Sequence, residues 1–327
     1  MKRILLLLLA LLILLPQAAP AEDAAEEPAR YTASTTKSAE LKQEAGRSRT
    51  LRTIRTDAKV EVLEYGETWC RIRYRNQTGY MRTKYLWGFV SLDAKNWPSP
   101  QFTPCAGYVT LDTETLIKGG KFSGVTAAAG SRVAVYGEDM SLPVWRGNAA
   151  LPAEAGSYTA FSDWQTAEPG EAIAGFTTYY NEKTGSPLHK PRQHNIALGC
   201  ERIDGQTVRP GEEFSFNALC APYKLSNGYQ VAKNISHDGK GPGGGVCQVS
   251  TTLYNALLGL PVQITAWAAH RPSGVYYIPR SFDSAVGSTT DLAFRNDLPY
   301  PVRISALPQD GALTVMIFRA DEPEQQE

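Results

Sequence analysis

Along residues 31–88, hydrophobic and polar positions alternate in short runs. Lys59-Val60-Glu61-Val62-Leu63-Glu64-Tyr65 alternates with a period near two, Gly66-Glu67-Thr68 turns the chain, and Trp69-Cys70-Arg71-Ile72-Arg73-Tyr74 alternates again. Asn76-Gln77-Thr78-Gly79 supplies another turn before Tyr80-Met81. Strand length and turn spacing predict a small, mostly antiparallel β-barrel. In residues 89–170, Pro98, Pro100 and Pro104 mark a linker. Tyr108–Leu111 and Ser131–Tyr136 read as strands, and Gly119-Gly120 and Ala127–Gly130 as turns. A second small β-rich module is expected there, without site chemistry.

Residues 171–319 change character. Ala174–Tyr180, Val262–Ile264, Gly274–Ile278, Leu292–Phe294, Val302–Ile304 and Leu313–Ile317 read as strands, and Val208–Glu212 as a turn leading into Phe214–Phe216. His194–Gly199 reads as a short helix or strand. Gln248 to Leu258 fits a helix, with Val249, Leu253, Ala256 and Leu257 near helical spacing. Many strands around one central helix predict a β-rich α+β domain.

The most pointed local feature is Gly243-Gly244-Gly245-Val246-Cys247-Gln248-Val249-Ser250-Thr251-Thr252-Leu253-Tyr254-Asn255. Glycine permits positive φ and close approach of another molecule. A helix start presents unpaired N–H groups and partial positive charge. Cysteine in that setting is favoured as thiolate, the nucleophilic form. Backbone N–H groups from Gly244, Gly245, Val246 and Gln248 form a candidate oxyanion and substrate shelf. A cysteine nucleophile needs a base, and histidine is the usual one. His270 follows a predicted strand by a few residues and lies 23 positions after Cys247. The two meet if that strand returns beside the helix. Asp283 and Asp291, with Ser250 and Tyr254 inside the glycine–cysteine block, are candidates for an orienting or substrate-contacting group.

The chain start sets the expected compartment. Lys2 and Arg3 precede an aliphatic run from Ile4 to Leu15, and Ala19-Pro20-Ala21 supplies a small-x-small pattern. This reads as a secretory signal over 1–21 with cleavage after Ala21. An uncleaved membrane anchor is the alternative. Residues 22–30 read as a flexible tether and 320–327 as a disordered tail. Lys and Arg total 33, matching 33 Asp and Glu. Loss of Lys2 and Arg3 leaves a net charge of about −2, and no long basic run points to nucleic acid.

Five cysteines in an exported chain leave at least one unpaired or make an intermolecular bond. Cys247 is the natural free thiol. Cys70, Cys105, Cys200 and Cys220 are open to pairing, Cys200 with Cys220 included, or all are reduced. The four histidines show no zinc spacing, so no metal is expected, and no cofactor is required.

Two resemblances extend this reading. Glu64-Tyr65-Gly66, Trp69, Gly79-Tyr80-Met81 and Tyr85-Leu86 make residues 31–88 resemble a bacterial SH3 domain. That implies binding of cell-wall peptides or glycans, or a folded spacer. Residues of about 175–318 resemble a VanW domain. The likeness rests on Phe176-Thr177-Thr178, Arg192, Asn195-Ile196, Pro210 to Asn217, Gly228-Tyr229, the glycine–cysteine block, His270, Tyr277, Asp283, Asp291-Leu292 and Asn296. It implies, from members joined to wall-binding modules, a resemblance in activity to L,D-transpeptidases of peptidoglycan. Cys247 would be the nucleophile, His270 the general base and stem peptides the partners. Two other outcomes stay open: a non-catalytic wall-binding or glycopeptide-resistance accessory protein, and a cysteine peptidase or carboxypeptidase on wall peptides.

Overall fold

A computed structural model of the chain describes residues 27–91, 102–119, 122–144, 149–180, 189–234, 239–270, 275–278, 282–309 and 311–321. The expected signal at 1–21, most of the tether, His237 and the last six residues lie outside the described residues.

The alternating N-terminal segment forms seven strands: β1 Tyr31–Thr35, β2 Ala39–Lys42, β3 Thr50–Ile54, β4 Lys59–Glu64, β5 Trp69–Tyr74, β6 Gln77–Arg82 and β7 Leu86–Ser91. They make one antiparallel sheet in the order β3-β2-β6-β5-β4-β1-β7. The period-two pattern sends Leu41, Val60, Val62, Ile72 and Met81 to one core while their neighbours stay wetter.

The middle segment gives β8 Gly107–Leu111, β9 Thr115–Gly119, β10 Phe122–Ala127, β11 Arg132–Val135 and β12 Gly156–Ala160. These pair as a β11-β8-β12 sheet and a β9-β10 ribbon. Their core of Val109, Leu111, Ile117, Val133 and Val135 is completed by Tyr179 and Ala312 from the C-terminal part. The Ala134 amide also donates to Thr177 Oγ1 at 2.8 Å.

The C-terminal part holds β13 Ala172–Tyr179, β14 Thr207–Val208, β15 Glu213–Ser215, β16 Val231–Lys233, β17 Lys240–Pro242, β18 Gln263–Ala266, β19 Ala293–Arg295, β20 Val302–Gln309 and β21 Ala312–Arg319. Its helices are α1 His189–Ile203, α2 Phe216–Cys220 and α3 Val246–Leu257. A β13-β21-β20-β14 sheet carries α3 against β13 and β21, and α1 against β20 and α3. Smaller β15-β19-β18 and β16-β17 sheets complete it. The fold is a β-rich α+β arrangement, as the patterning predicts.

Two expectations change. The single central helix has a long companion, α1, where the sequence suggested a short piece from His194. Its polar first turn contains Pro191, which is tolerated there because early helical N–H groups lack partners anyway. Ile196, Cys200 and Ile203 then form its buried stripe. The strand expected over Gly274–Ile278 does not form at residues 275–278. Tyr277 and Ile278 are buried there by packing rather than by a ladder.

Candidate active site

Helix α3 is sunk in the core. Every one of its residues is buried except Cys247, which is partly exposed. Gly245 caps it at φ +115, a left-handed conformation that favours glycine. A Cβ on Gly245 would stand 3.0 Å from the Arg192 carbonyl oxygen and from Arg192 Cγ. The glycine therefore sets the helix entry and lets α1 lie against it. All five cysteines are free thiols. Cys70, Cys105, Cys200 and Cys220 are buried, and desolvation pushes each thiol up, Cys220 to about 12. Cys247 alone combines some exposure with a helix start.

The Cys247 amide has no acceptor among the described residues. The amides on either side are used: Val246 N donates to Gly243 O at 3.1 Å and Gln248 N to Gly245 O at 2.9 Å. Asn195 Nδ2 donates to the Gly244 carbonyl at 3.1 Å. Of the expected shelf, Val246 and Gln248 thus turn their N–H groups into the cap. The Cys247 N–H, which lies within that Gly245–Gln248 stretch, is the one left without an acceptor among the described residues.

His270 arrives after β18, as its position relative to Val262–Ile264 predicts. Its backbone N and its Nδ1 both bond Asp283 Oδ2 at 2.7 Å. Asp283 is fully buried, its Oδ1 has no donor among the described residues, and its Oδ2 serves His270 alone, through the backbone N and the ring. With Nδ1 committed to Asp283, Nε2 is the ring nitrogen available to Cys247. Burial works against the imidazolium. The hydrogen bonds to Asp283 and Cys247, and the negative charges there, outweigh it and lift His270 from 6.5 to about 9. Cys247 Sγ also lies 3.5 Å from Val286 O.

The loop bearing Asp283 is pinned by the polar face of α3. Ser250 Oγ donates to Ser284 O at 2.8 Å, Thr251 Oγ1 accepts from Ser284 N at 2.9 Å, and Asn255 Nδ2 donates to Phe282 O at 2.7 Å. Trp267 Nε1 donates to Asp283 O at 3.1 Å, and its ring stacks on Tyr254 at 5.6 Å. Ser250 and Tyr254 therefore support the loop rather than face a ligand. Asp291, equal to Asp283 by type in the sequence, sits elsewhere. It accepts from Ser215 Oγ, Asn217 N and Leu292 N, fixing the start of α2.

Gln248 is buried beside the thiol. Its Nε2 donates to Thr178 Oγ1 at 3.0 Å and Tyr179 O at 3.2 Å, and its Oε1 accepts from Arg192 Nη2 at 2.8 Å. Arg192 and Asn195, which the sequence marked only through resemblance, are thus site-building residues. Their i, i+3 spacing on α1 is the signal that an amphipathic reading of that segment would have supplied. Among the described residues, no cluster of three or more His, Cys, Asp or Glu could hold a metal ion.

The site brings a buried imidazole–carboxylate pair, His270 and Asp283, to a β-rich α+β domain whose one partly exposed thiol, Cys247, is among the groups that raise His270. Residues 191–318 match the family described as VanW like protein, so this part of the chain is a VanW-like domain. The chain is 33% identical over 154 residues to "Uncharacterized protein YoaR" of Bacillus subtilis, covering 46% of this chain and 49% of that protein. It is 25% identical over 162 residues to "Vancomycin B-type resistance protein VanW" of Enterococcus faecalis, covering 44% of this chain and 56% of that one. The chain spans about half the length of these relatives. Among the described residues, no helix is long and apolar enough to cross a membrane.

Proposed function

We propose that this chain is an exported cell-wall protein whose VanW-like domain acts as a cysteine-dependent L,D-transpeptidase. The observation that carries the reading is the 2.7 Å bond from His270 Nδ1 to the buried Asp283, together with Cys247 as the partly exposed member of a buried helix and one of the groups that raise His270. The similarity to a vancomycin-resistance protein supports a wall-related role. The SH3-like segment would hold the chain to the wall.

In the reactive form a Cys247 thiolate faces an imidazolium that Asp283 orients. The sulfur attacks the peptide carbonyl preceding the terminal D-residue of a stem tetrapeptide. The Cys247 amide donates to the developing oxyanion. Collapse breaks the C–N bond, and the imidazolium proton passes to the leaving amine. The product is a thioester and a free D-amino acid. An amine on a neighbouring stem then attacks the thioester carbonyl, His270 takes up its proton, and the thiolate leaves, giving a 3→3 cross-link.

The test is incubation of the purified protein with muropeptides, followed by mass spectrometry. Cross-linked dimers with stoichiometric release of the D-amino acid are expected, and Cys247→Ala should abolish both. Released D-amino acid without dimers would make the site a carboxypeptidase. No product of either kind would leave an accessory wall-binding role.

A further inference from the structure

Arg192 is the cation that the relay does not use. It projects from α1 against the Gly245 cap. Gln248 orients it: the amide nitrogen is committed to Thr178 and Tyr179, so the amide oxygen must face the guanidinium. On another side the guanidinium lies 5.7 Å from the centre of the Tyr276 ring, whose residue is exposed. Its Nη1 is buried and has no hydrogen-bond acceptor among the described residues. No carboxylate among the described residues pairs with Arg192. Arg202 of this domain bonds the Cys220 and Asn227 carbonyls and Arg295 bonds Asp297, while Arg319, whose Nη1 bonds the Ala167 carbonyl, also leaves a buried Nε without a partner among the described residues. A buried, oriented and unfilled charged donor is costly to maintain without a ligand.

Its place against the start of α3 bears on what the ligand would be. Gln248, which holds it, follows Cys247 directly. Arg192 Cγ also packs against Gly245, where an added Cβ would stand 3.0 Å away, two residues before Cys247. We propose that Arg192 recognises the free α-carboxylate of the residue that leaves, restricting the site to substrates ending one residue beyond the attacked bond. That carboxylate lies about one residue length, roughly 3.5 Å, past the scissile carbonyl. A guanidinium fork suits a carboxylate, and its charge makes the bond stronger than a neutral one. Arg192 is thus a specificity residue, and the inference rests on the acyl-transfer reading of the same site.

Binding separates the two. Cys247→Ala protein, which cannot turn over, is titrated calorimetrically with a stem tetrapeptide ending in D-alanine, as the free acid and as the C-terminal amide. The acid should bind at least about 30-fold more tightly, as expected for a desolvated charge pair. Adding Arg192→Gln should erase the gap, and Arg192→Lys should restore part of it. Melting curves confirm that each variant is folded. Equal binding of acid and amide, binding of neither, or a gap that survives Arg192→Gln would each overturn the assignment. Acid-specific binding with no cross-linking by the wild type would instead overturn the transpeptidase reading and leave this one standing.

Discussion

The N-terminal sheet and the C-terminal domain bury their strands in opposite ways: β4 and β5 carry charged residues on a wet face, and β13 carries none. β5 alternates between buried and half-buried positions, so one face is wet. β13 and β21 are buried over almost their whole length, because α3 covers one face and the β8–β12 strands reach the other. A one-sided sheet can leave its polar side chains in water. A two-sided one must satisfy every polar group internally, since an unpaired buried group costs about 1–3 kcal/mol. The Thr177–Thr314 and Thr178–Thr252 hydroxyl pairs, at 2.8 and 2.7 Å, meet that demand. The same demand fixes Gln248, Ser250 and Thr251 in single orientations. A relay needs such a frame, and the N-terminal sheet has no need of one.

The comparison breaks first at Asp283. Asp283→Asn keeps the shape but removes the charge that holds the His270 ring, and turnover of muropeptides should fall by roughly 10³- to 10⁴-fold. Loss of less than tenfold would mean that the relay is not the working machinery.

Next come the two cores. Ile72→Ala in β5 and Leu253→Ala in α3 each empty a fully buried site and should cost about 2–5 kcal/mol in denaturant unfolding. Their consequences should differ: Ile72→Ala leaves the alkylation rate of Cys247 by iodoacetamide unchanged, whereas Leu253→Ala alters it. Equal changes would show that the two regions are one cooperative unit. The contact most able to couple them is at Gly88, where an added Cβ would come within 3.1 Å of the Trp267 ring.

The smallest effect is on pH dependence. His270 is raised in the folded protein, so its protonated form favours the fold. That contribution is complete below about pH 6.5, declines from there to about 9, and is gone above it. On the order of 1–3 kcal/mol should be lost across this window, and His270→Gln should remove that slope from the stability profile. A wild-type profile identical to that of the variant would contradict the coupling to Asp283 and Cys247.

Legibility followed the same division. The alternation of Lys59–Glu64 and Trp69–Tyr74 gave strands close to those observed, because one-sided burial writes itself as period two. In the C-terminal domain, α1 was underread because its first turn is polar and contains a proline. Gly274–Ile278 reads as a strand and yet residues 275–278 form none, because an apolar run buried in a loop looks the same as one in a sheet.

By itself, the sequence determined the strand-rich framework, the helix after the glycines and the singular position of Cys247 at its start. These are local matters of periodicity, φ preference and helix ends. It also offered His270 as partner, but it held Asp283 and Asp291 equal and gave Arg192 no role. Only the tertiary structure decided between the carboxylates, placing one on an imidazole and the other at the start of α2. It also brought a guanidinium from α1 to the cap of α3, 56 positions from the glutamine that holds it. Hydrogen bonds between distant segments depend on direction and burial, and neither is written in the residue types.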